Sequence, residues 1–365
     1  MTTSSDCQPA DSLVKPTEVT ITPVSVSPFE DSDTASWERF VISHPEGTFF
    51  HRLGWMRVME KTYRYKPYYF CAKRGNRIVG IAPSFLVSSW VTGRRLISLP
   101  FAVYGGICAE DPEAEKALVG RLEQLALALD VEYLELRNRT GETLNGYHTN
   151  TRYATFTMPL MPDPEALYKS LPKDIRYMIR KGEKAGLYVR HGFEQLDSFF
   201  RLMTINLRRL GTPAFPRSLF ENLITEFQGN VDLAVVYLKE EPLAGGLSFL
   251  SRDWMQPYYI GSTEEAKSLA ANNFLWWELI KFAAESGRST FDFGRSKKDS
   301  GNFDFKKKWN PQITSLPYQV RLVRGRKVPD FSPMNPKFEL ATSVWKKLPL
   351  GLTRVVGPRV VRWFP

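Results

Sequence analysis

One order of elements occurs twice along the chain, and this duplication limits the possible folds more than any single motif does. The first run opens with helical text at Trp37, Phe40 and Val41 and again from Leu53 to Tyr63, where Trp55, Val58 and Met59 keep helical spacing. Tyr68–Lys73 then reads as a strand, Gly75-Asn76 as a turn and Ile78–Leu86 as its hairpin partner. A strand near Leu96–Leu99, a helix from Glu113 to Leu129 and a strand Tyr133–Arg137 close the run. The second run has helices Leu196–Leu210 and Ser218–Phe227, strands Asp232–Leu238, Leu243–Phe249 and Met255–Gly261, a helix Asn273–Ser286 and a strand Thr290–Gly294. Setting Gly80 on Gly245 gives an offset of 165 residues and setting Leu136 on Phe293 gives 157, so two copies of one module with small loop changes account for both.

The length of 365 residues fits two folding units. The expected division is an acidic, structureless tail over 1–34, a module over 35–160, a second module over 161–322 and a basic tail over 323–365. Residues 1–34 hold one lysine against six acids, a net of −5, and residues 321–365 hold ten Lys and Arg against two acids, a net of +8. With +10 overall, this balance favours phosphate-bearing ligands, tRNA or anionic lipid without choosing among them. Cys7, Cys71 and Cys108 are too few and too dispersed for a disulfide framework or a CxxC metal site, which fits a reducing compartment. His44, His51, His148 and His191 show no metal-ligand spacing, so no metal is expected. No apolar run approaches ~18 residues and no basic-then-apolar leader starts the chain, so the expected place is the cytoplasm, soluble or peripheral.

Helix, helix, antiparallel strands, helix, strand is an order similar to that of the acetyltransferase-like (GNAT) fold, so the expected class is α+β, two tandem modules with mixed sheets. In that fold a glycine-rich loop at a helix N-terminus holds a pyrophosphate. The corresponding segment, Thr263–Asn273, has no glycine, and its first-module counterpart, Ala109-Glu110-Asp111-Pro112, is acidic. Both departures weigh against ordinary CoA chemistry. No G-x-S-x-G occurs, and Gly261-Ser262 has no histidine nearby in sequence, so a covalent nucleophile is not expected.

Between the modules, Lys173–Lys184 forms a basic amphipathic helix with Ile175, Met178 and Ile179 on its apolar face, within the stretch 172–185. The run Ser170–Leu187, containing Arg176-Tyr177-Met178-Ile179-Arg180-Lys181-Gly182-Glu183-Lys184, resembles the basic helix of Fem-type transferases. Tyr258-Tyr259-Ile260-Gly261-Ser262, Asn272-Asn273, Phe291–Lys297 and Phe303–Trp309 are similar to the Fem-like proteins associated with exosortase/PEP-CTERM systems. The resemblance covers roughly residues 35–322. Position 310 is Asn where relatives often have Gly, and residues 187–196 leave no room for the coiled-coil arm that some members insert.

The resemblance implies two GNAT-like modules that work without CoA or another cofactor and join an amino acid from aminoacyl-tRNA to an amine of a cell-wall or exopolysaccharide precursor. The alternatives are a CoA-dependent N-acyltransferase using an acyl-CoA donor, and a non-catalytic adaptor binding a polysaccharide or lipid carrier. On the basic helix, Arg176, Arg180 and Lys181 are expected either to meet phosphates of a nucleotide- or lipid-linked saccharide or peptide acceptor, or to be solvated. Tyr258, Tyr259 and Trp254 either pack or contact a ligand. Asp292 either orients Arg295, accepts a proton or forms a strand-end ion pair, and Asn273 either binds ligand or caps a helix. The Fem-like match selects Lys306 as the cation facing the oxyanion. Read as a strand, Phe305–Trp309 puts Lys306 and Lys308 on one face and Lys307 on the other. The tail from Trp345 to Pro365, basic and aromatic without acids, is expected either at an anionic membrane or packed on the second module, with Pro349 and Pro358 breaking any long helix.

Overall fold

The computed structural model of the chain describes residues 22–90, 92–325, 327–328 and 336–365. Most of the expected acidic tail, with Cys7, lies outside the described residues. Its last part does not remain irregular: Ser25–Pro28 (β1) pairs with the next strand, because Val24 and Val26 alternate with serines and cover apolar side chains of the first module.

The first module continues with Thr34–Ser43 (α1), Leu53–Tyr63 (α2), Lys66–Arg74 (β2), Arg77–Ser89 (β3), Gly93–Ile97 (β4) and Cys108–Ala109 (β5). Pro112–Ala128 (α3), Tyr133–Leu136 (β6) and His148–Pro159 (β7) follow. Pro164–Ser170 (α4) and Lys173–Lys184 (α5) lead to the second module: Leu187–His191 (β8), Leu196–Leu210 (α6), Arg217–Glu226 (α7), Val231–Leu238 (β9), Glu241–Ser251 (β10) and Trp254–Ser262 (β11). Then come Ala271–Glu285 (α8), Thr290–Asp292 (β12), Ser296–Lys297 (β13), Gly301–Lys307 (α9) and Gln312–Leu322 (β14). Pro336–Lys347 (α10) and Leu350–Val361 (α11) end the described chain, Pro349 serving as the N-cap of α11 and Pro358 sitting inside it.

The expected mixed sheets are joined into one of 14 strands, in the order β1-β2-β3-β4-β6-β14-β7-β12-β11-β10-β9-β8, with β5 on β3 and β13 on β7. Each module contains one parallel pair, β4 with β6 and β11 with β12, and both pairs are short. The link between modules is an exchange of strands. The last strand of the first repeat, β7, bonds to β12 of the second, and β14 returns to lie between β6 and β7.

Two apolar cores lie under α3 and under α5 and α8, and a third is shared by both repeats. In the shared core Phe49 stacks on Phe249 with ring centroids 4.3 Å apart, Phe50 meets Trp55 edge-on at 4.9 Å, and Phe220 meets Tyr259 at 5.2 Å. The tail packs back on the second module: Gly357 lies against Ala214, and Gly211 against Thr342. The carbonyls of the residues that follow α11 are taken up by the first module. Arg95 donates to Trp363 O, Arg137 to Pro365 O at 2.9 Å, and the Tyr65 hydroxyl to Arg362 O. Backbone carbonyls bonded to buried guanidinium groups supply acceptors that those groups need.

Exchanged strands and a common aromatic core make the modules one cooperative unit. Phe249→Ala is expected to cost ~3–5 kcal/mol and to shift a single denaturation transition. Two separated transitions, with the variant moving only one, would contradict this coupling.

Candidate functional site

The site begins where hydrogen bonding stops. The strands β11 and β12 pair only at Trp254 and Met255 with Thr290 and Phe291, and beyond these residues they part. A cavity of about 1210 Å³ opens between Pro257–Ile260 of β11 and Phe293–Arg295 after β12, and it extends toward β4 and β6 of the first module. Ligand pockets typically occupy ~300–1,000 Å³, so this space suits two reactants.

Lys306 lines it, and its surroundings are set by α9. The run expected as a strand is a helix because the Ser300 hydroxyl accepts from Phe303 N–H and caps it, with Asp304 in the first turn. Helical spacing therefore replaces strand alternation, turning Lys306 inward at 8% exposure while Lys307 and Lys308 stay exposed. Trp309 is buried beside Phe293 and Phe305, and Asn310 ends the segment with φ of 57°. That left-handed conformation is the one for which glycine suits relatives; asparagine tolerates it better than most residues do.

The ammonium of Lys306 donates to Gly294 O at 3.0 Å and to Arg295 O at 3.1 Å. Burial pushes its pKa down to about 7, with Asp292 opposing the shift and Arg295 adding to it. A neutral amine uses both its protons on these two carbonyls, whereas the charged form keeps a third N–H for another acceptor.

Asp292 lies beneath the cavity. Its Oδ1 accepts from Gly294 N–H at 2.7 Å and from the Thr155 hydroxyl at 3.1 Å, and its Oδ2 accepts from the Tyr104 hydroxyl at 2.8 Å. The carboxylate thus orders the Gly294 turn, where φ is 71°, rather than pairing with a guanidinium. Arg295 instead lies 4.5 Å over the Tyr153 ring and donates to the Tyr318 hydroxyl at 3.1 Å. Tyr318 donates in turn to Val103 O, and Tyr258 to Phe101 O.

The remaining expected residues separate into two groups. Tyr258, Tyr259 and Asn273 line the same cavity as Lys306 and Arg295. Tyr259 is largely built into the shared core, and Trp254 is half-buried against it. Asn273 is not a helix cap: the N-cap of α8 is Ala270, and Asn273 stands in the first turn facing the cavity. No side chain caps α8, whereas Asp111 caps α3 by accepting from Ala114 N–H and closes the first-module counterpart. Arg176, Arg180 and Lys181 lie outside the cavity on α5, with Arg180 and Lys181 exposed and Arg176 half-buried. The apolar face of α5 packs against Phe274 of α8 through Gly182.

Sequence reasoning missed Tyr104, Thr155, Arg95 and Arg137. The last was marked by the repeat itself, since the offset that places Leu136 on Phe293 places Arg137 on Gly294. Arg137 is 4% exposed and pairs with Glu135 at 2.7 Å, and Arg95 is 1% exposed; both line the first-module end of the cavity. His51 and Cys108 approach to 3.4 Å, but burial lowers the histidine pKa to about 4 and raises that of the thiol. They form a neutral packing contact with the imidazole bonded to Gly106 O and Thr48 N–H, not a nucleophile and its base.

The sequence profile of the acetyltransferase (GNAT) domain matches residues 169–307. No curated protein matches the chain significantly in sequence. Among solved structures, FemX superimposes with a TM-score of 0.66 at 17% identity, covering 82% of this chain and 98% of that one. The C-terminal domain of a putative lysylphosphatidylglycerol synthetase from Agrobacterium fabrum gives 0.55 at 12% identity over 80% and 92% of the two chains. A tandem GNAT protein from the clavulanic acid biosynthesis pathway gives 0.54 at 12% identity over 84% and 100%. The fold is α+β with two tandem GNAT-like modules, and with the matched domain it makes the chain an acyltransferase.

Because Asp292 satisfies three donors, Asp292→Asn would turn an amide N–H2 toward hydrogens it cannot accept. Chemical denaturation is expected to show a loss of ~1–3 kcal/mol, and a neutral effect would mean that the network is not formed.

Proposed function

We propose that the chain is a Fem-type transferase that forms an amide between an aminoacyl or acyl group and an amine of a cell-envelope or exopolysaccharide precursor. In this reading it is of the kind associated with exosortase/PEP-CTERM systems and acts in the cytoplasm, with peripheral contact to anionic membrane. The observation that carries the reading is Lys306, buried at the cavity between the parted strands and backed by two carbonyls and a buried carboxylate.

When an amine attacks an ester carbonyl, negative charge grows on the carbonyl oxygen. The third N–H of protonated Lys306 can donate to that oxygen, which stabilises the transition state more than the ground state. Asp292 favours the charged form of Lys306 and fixes the turn that supplies its carbonyl partners. Arg295, Tyr258, Tyr259 and Asn273 position the substrates, while Arg176, Arg180 and Lys181 reach phosphates of a substrate that extends beyond the cavity. Aminoacyl-tRNA is the donor in this reading. One observation supports acyl-CoA as a second donor class: the uncapped start of α8 opens into the cavity, where backbone N–H groups attract an anion.

Turnover with charged tRNAs and with acyl-CoAs identifies the donor, and saturable carrier binding without turnover on any donor would favour the silent adaptor. On the active donor, Lys306→Ala is expected to lose ~10²–10³ in rate. Lys307→Ala and Lys308→Ala should stay within a few-fold of the parent chain. Since only the ammonium carries the extra N–H, kcat should fall as pH rises through about 7. A Lys306 variant as active as its two neighbours, or a rate that climbs through that range, would refute the assignment.

A further inference from the structure

Trp90 lies at the tip of the β3–β4 hairpin and is 85% exposed, a costly position for the largest apolar side chain in a water-facing turn. It is not isolated. Its ring meets Trp363 edge-on at 5.6 Å, so the hairpin of the first module and the tail touch at one place on the surface. Both tryptophans line the cavity, together with Leu210 at the end of α6 and Trp345 of α10. Four separate elements thus bring aromatic or aliphatic side chains to its mouth. Leu340, Val344 and Val355 are also exposed on the tail helices.

The charge near this rim is mostly positive. Residues 339–365 contain Lys346, Lys347, Arg354, Arg359 and Arg362 against one acid, Glu339, and the hairpin adds the exposed Arg94. Of the carboxylates nearby, Glu264 pairs with Arg209 and Lys267 and Glu135 with Arg137, while Glu132 lies against Gly93 of the hairpin. A nucleic acid or a protein surface also takes up cations and tryptophan. A bilayer surface uses both together with the apolar Leu210, because indole rings sit at headgroup depth while Lys and Arg face anionic phosphates. No described helix is long and apolar enough to cross a membrane, so the contact is one of lying on the surface.

The geometry points to the cavity mouth itself, framed by Trp90, Leu210, Trp345 and Trp363, as a surface that docks on an anionic bilayer, so that the cleft takes its acceptor amine from the membrane face. This goes beyond contact by the tail alone, because it requires Trp90 on the other module. It rests on the acyl-transfer reading only for the identity of the amine as acceptor.

Co-sedimentation of the full chain with phosphatidylcholine vesicles containing about one-third phosphatidylglycerol tests the docking directly, with pure phosphatidylcholine vesicles as the neutral comparison. Binding is expected to the mixed vesicles alone and to be lost at about 0.5 M salt, where the Debye length shrinks to a few ångströms. Trp90→Glu and Leu340→Glu are each expected to weaken it ~10-fold. Trp90→Phe should retain it, and Leu127→Glu, at an exposed site on α3, should leave it unchanged. All three sites are exposed, so folding is not at issue, and a thermal melt verifies it. Equal sedimentation of the parent chain and Trp90→Glu would overturn the proposal while leaving a tail contact possible. Trp90-dependent binding to single-stranded RNA without vesicle binding would assign the surface to nucleic acid and also overturn it. Turnover on a water-soluble acceptor by a chain that binds no vesicle would overturn the docking and leave the acyl-transfer reading standing.

Discussion

A lysine buried against two carbonyl oxygens is the interaction on which the rest of the site depends. Desolvating an ammonium is expensive, and a protein keeps one inside only by supplying acceptors or by releasing its proton. Lys306 is balanced between these outcomes: Gly294 O and Arg295 O receive its hydrogens, Asp292 draws the charged form, and burial with Arg295 opposes it. The same contacts define the turn after β12. Gly294 allows the backbone to bring two carbonyls toward α9, and the Asp292 network holds the turn from below.

The larger frame exists to hold that turn at the end of a parted strand pair. Parallel pairing between β11 and β12 stops after two residue pairs, and β7 bonds along the other side of β12. The second module's site is therefore buttressed by a strand that the chain made in the first repeat. Tyr104 and Thr155, which donate to Asp292, also precede the second repeat. Neither module contains the whole site, which explains why exchanged strands, the aromatic core and the latch of α11 on Arg95 and Arg137 all tie the same two halves together.

Elements with strong local signals were legible in the sequence. The basic helix Lys173–Lys184 and the helix Leu196–Leu210 have the bounds their apolar periodicity gave, and the repeat offsets placed equivalent strands correctly. Errors arose where a short signal competed with a longer-range one. Three lysines before Trp309 read as a strand because Ser300, the cap that starts α9, stands six residues upstream behind a glycine. The exchange of β7 and β14 has no local signature, since pairing across the chain is decided by which edges are left open. Val24 and Val26 alternate over too few residues to stand out from a Ser- and Thr-rich tail. For the site, Lys306, Arg295, Tyr258, Tyr259 and Asn273 line one cavity, whereas Arg176, Arg180 and Lys181 lie outside it on a helix packed against α8. Charge on a helix is visible in sequence, but the direction it faces is set by packing against α8.

The most direct test of this account is the titration of Lys306 itself in the intact chain, followed through its side-chain ¹³Cε resonance by NMR with Lys306→Met to assign the signal. Burial beside Gly294, Arg295 and Asp292 predicts a midpoint of about 7. A midpoint near the ~10.4 of a solvated lysine would mean that the amine faces water, and the buried-cation account of the site would be wrong.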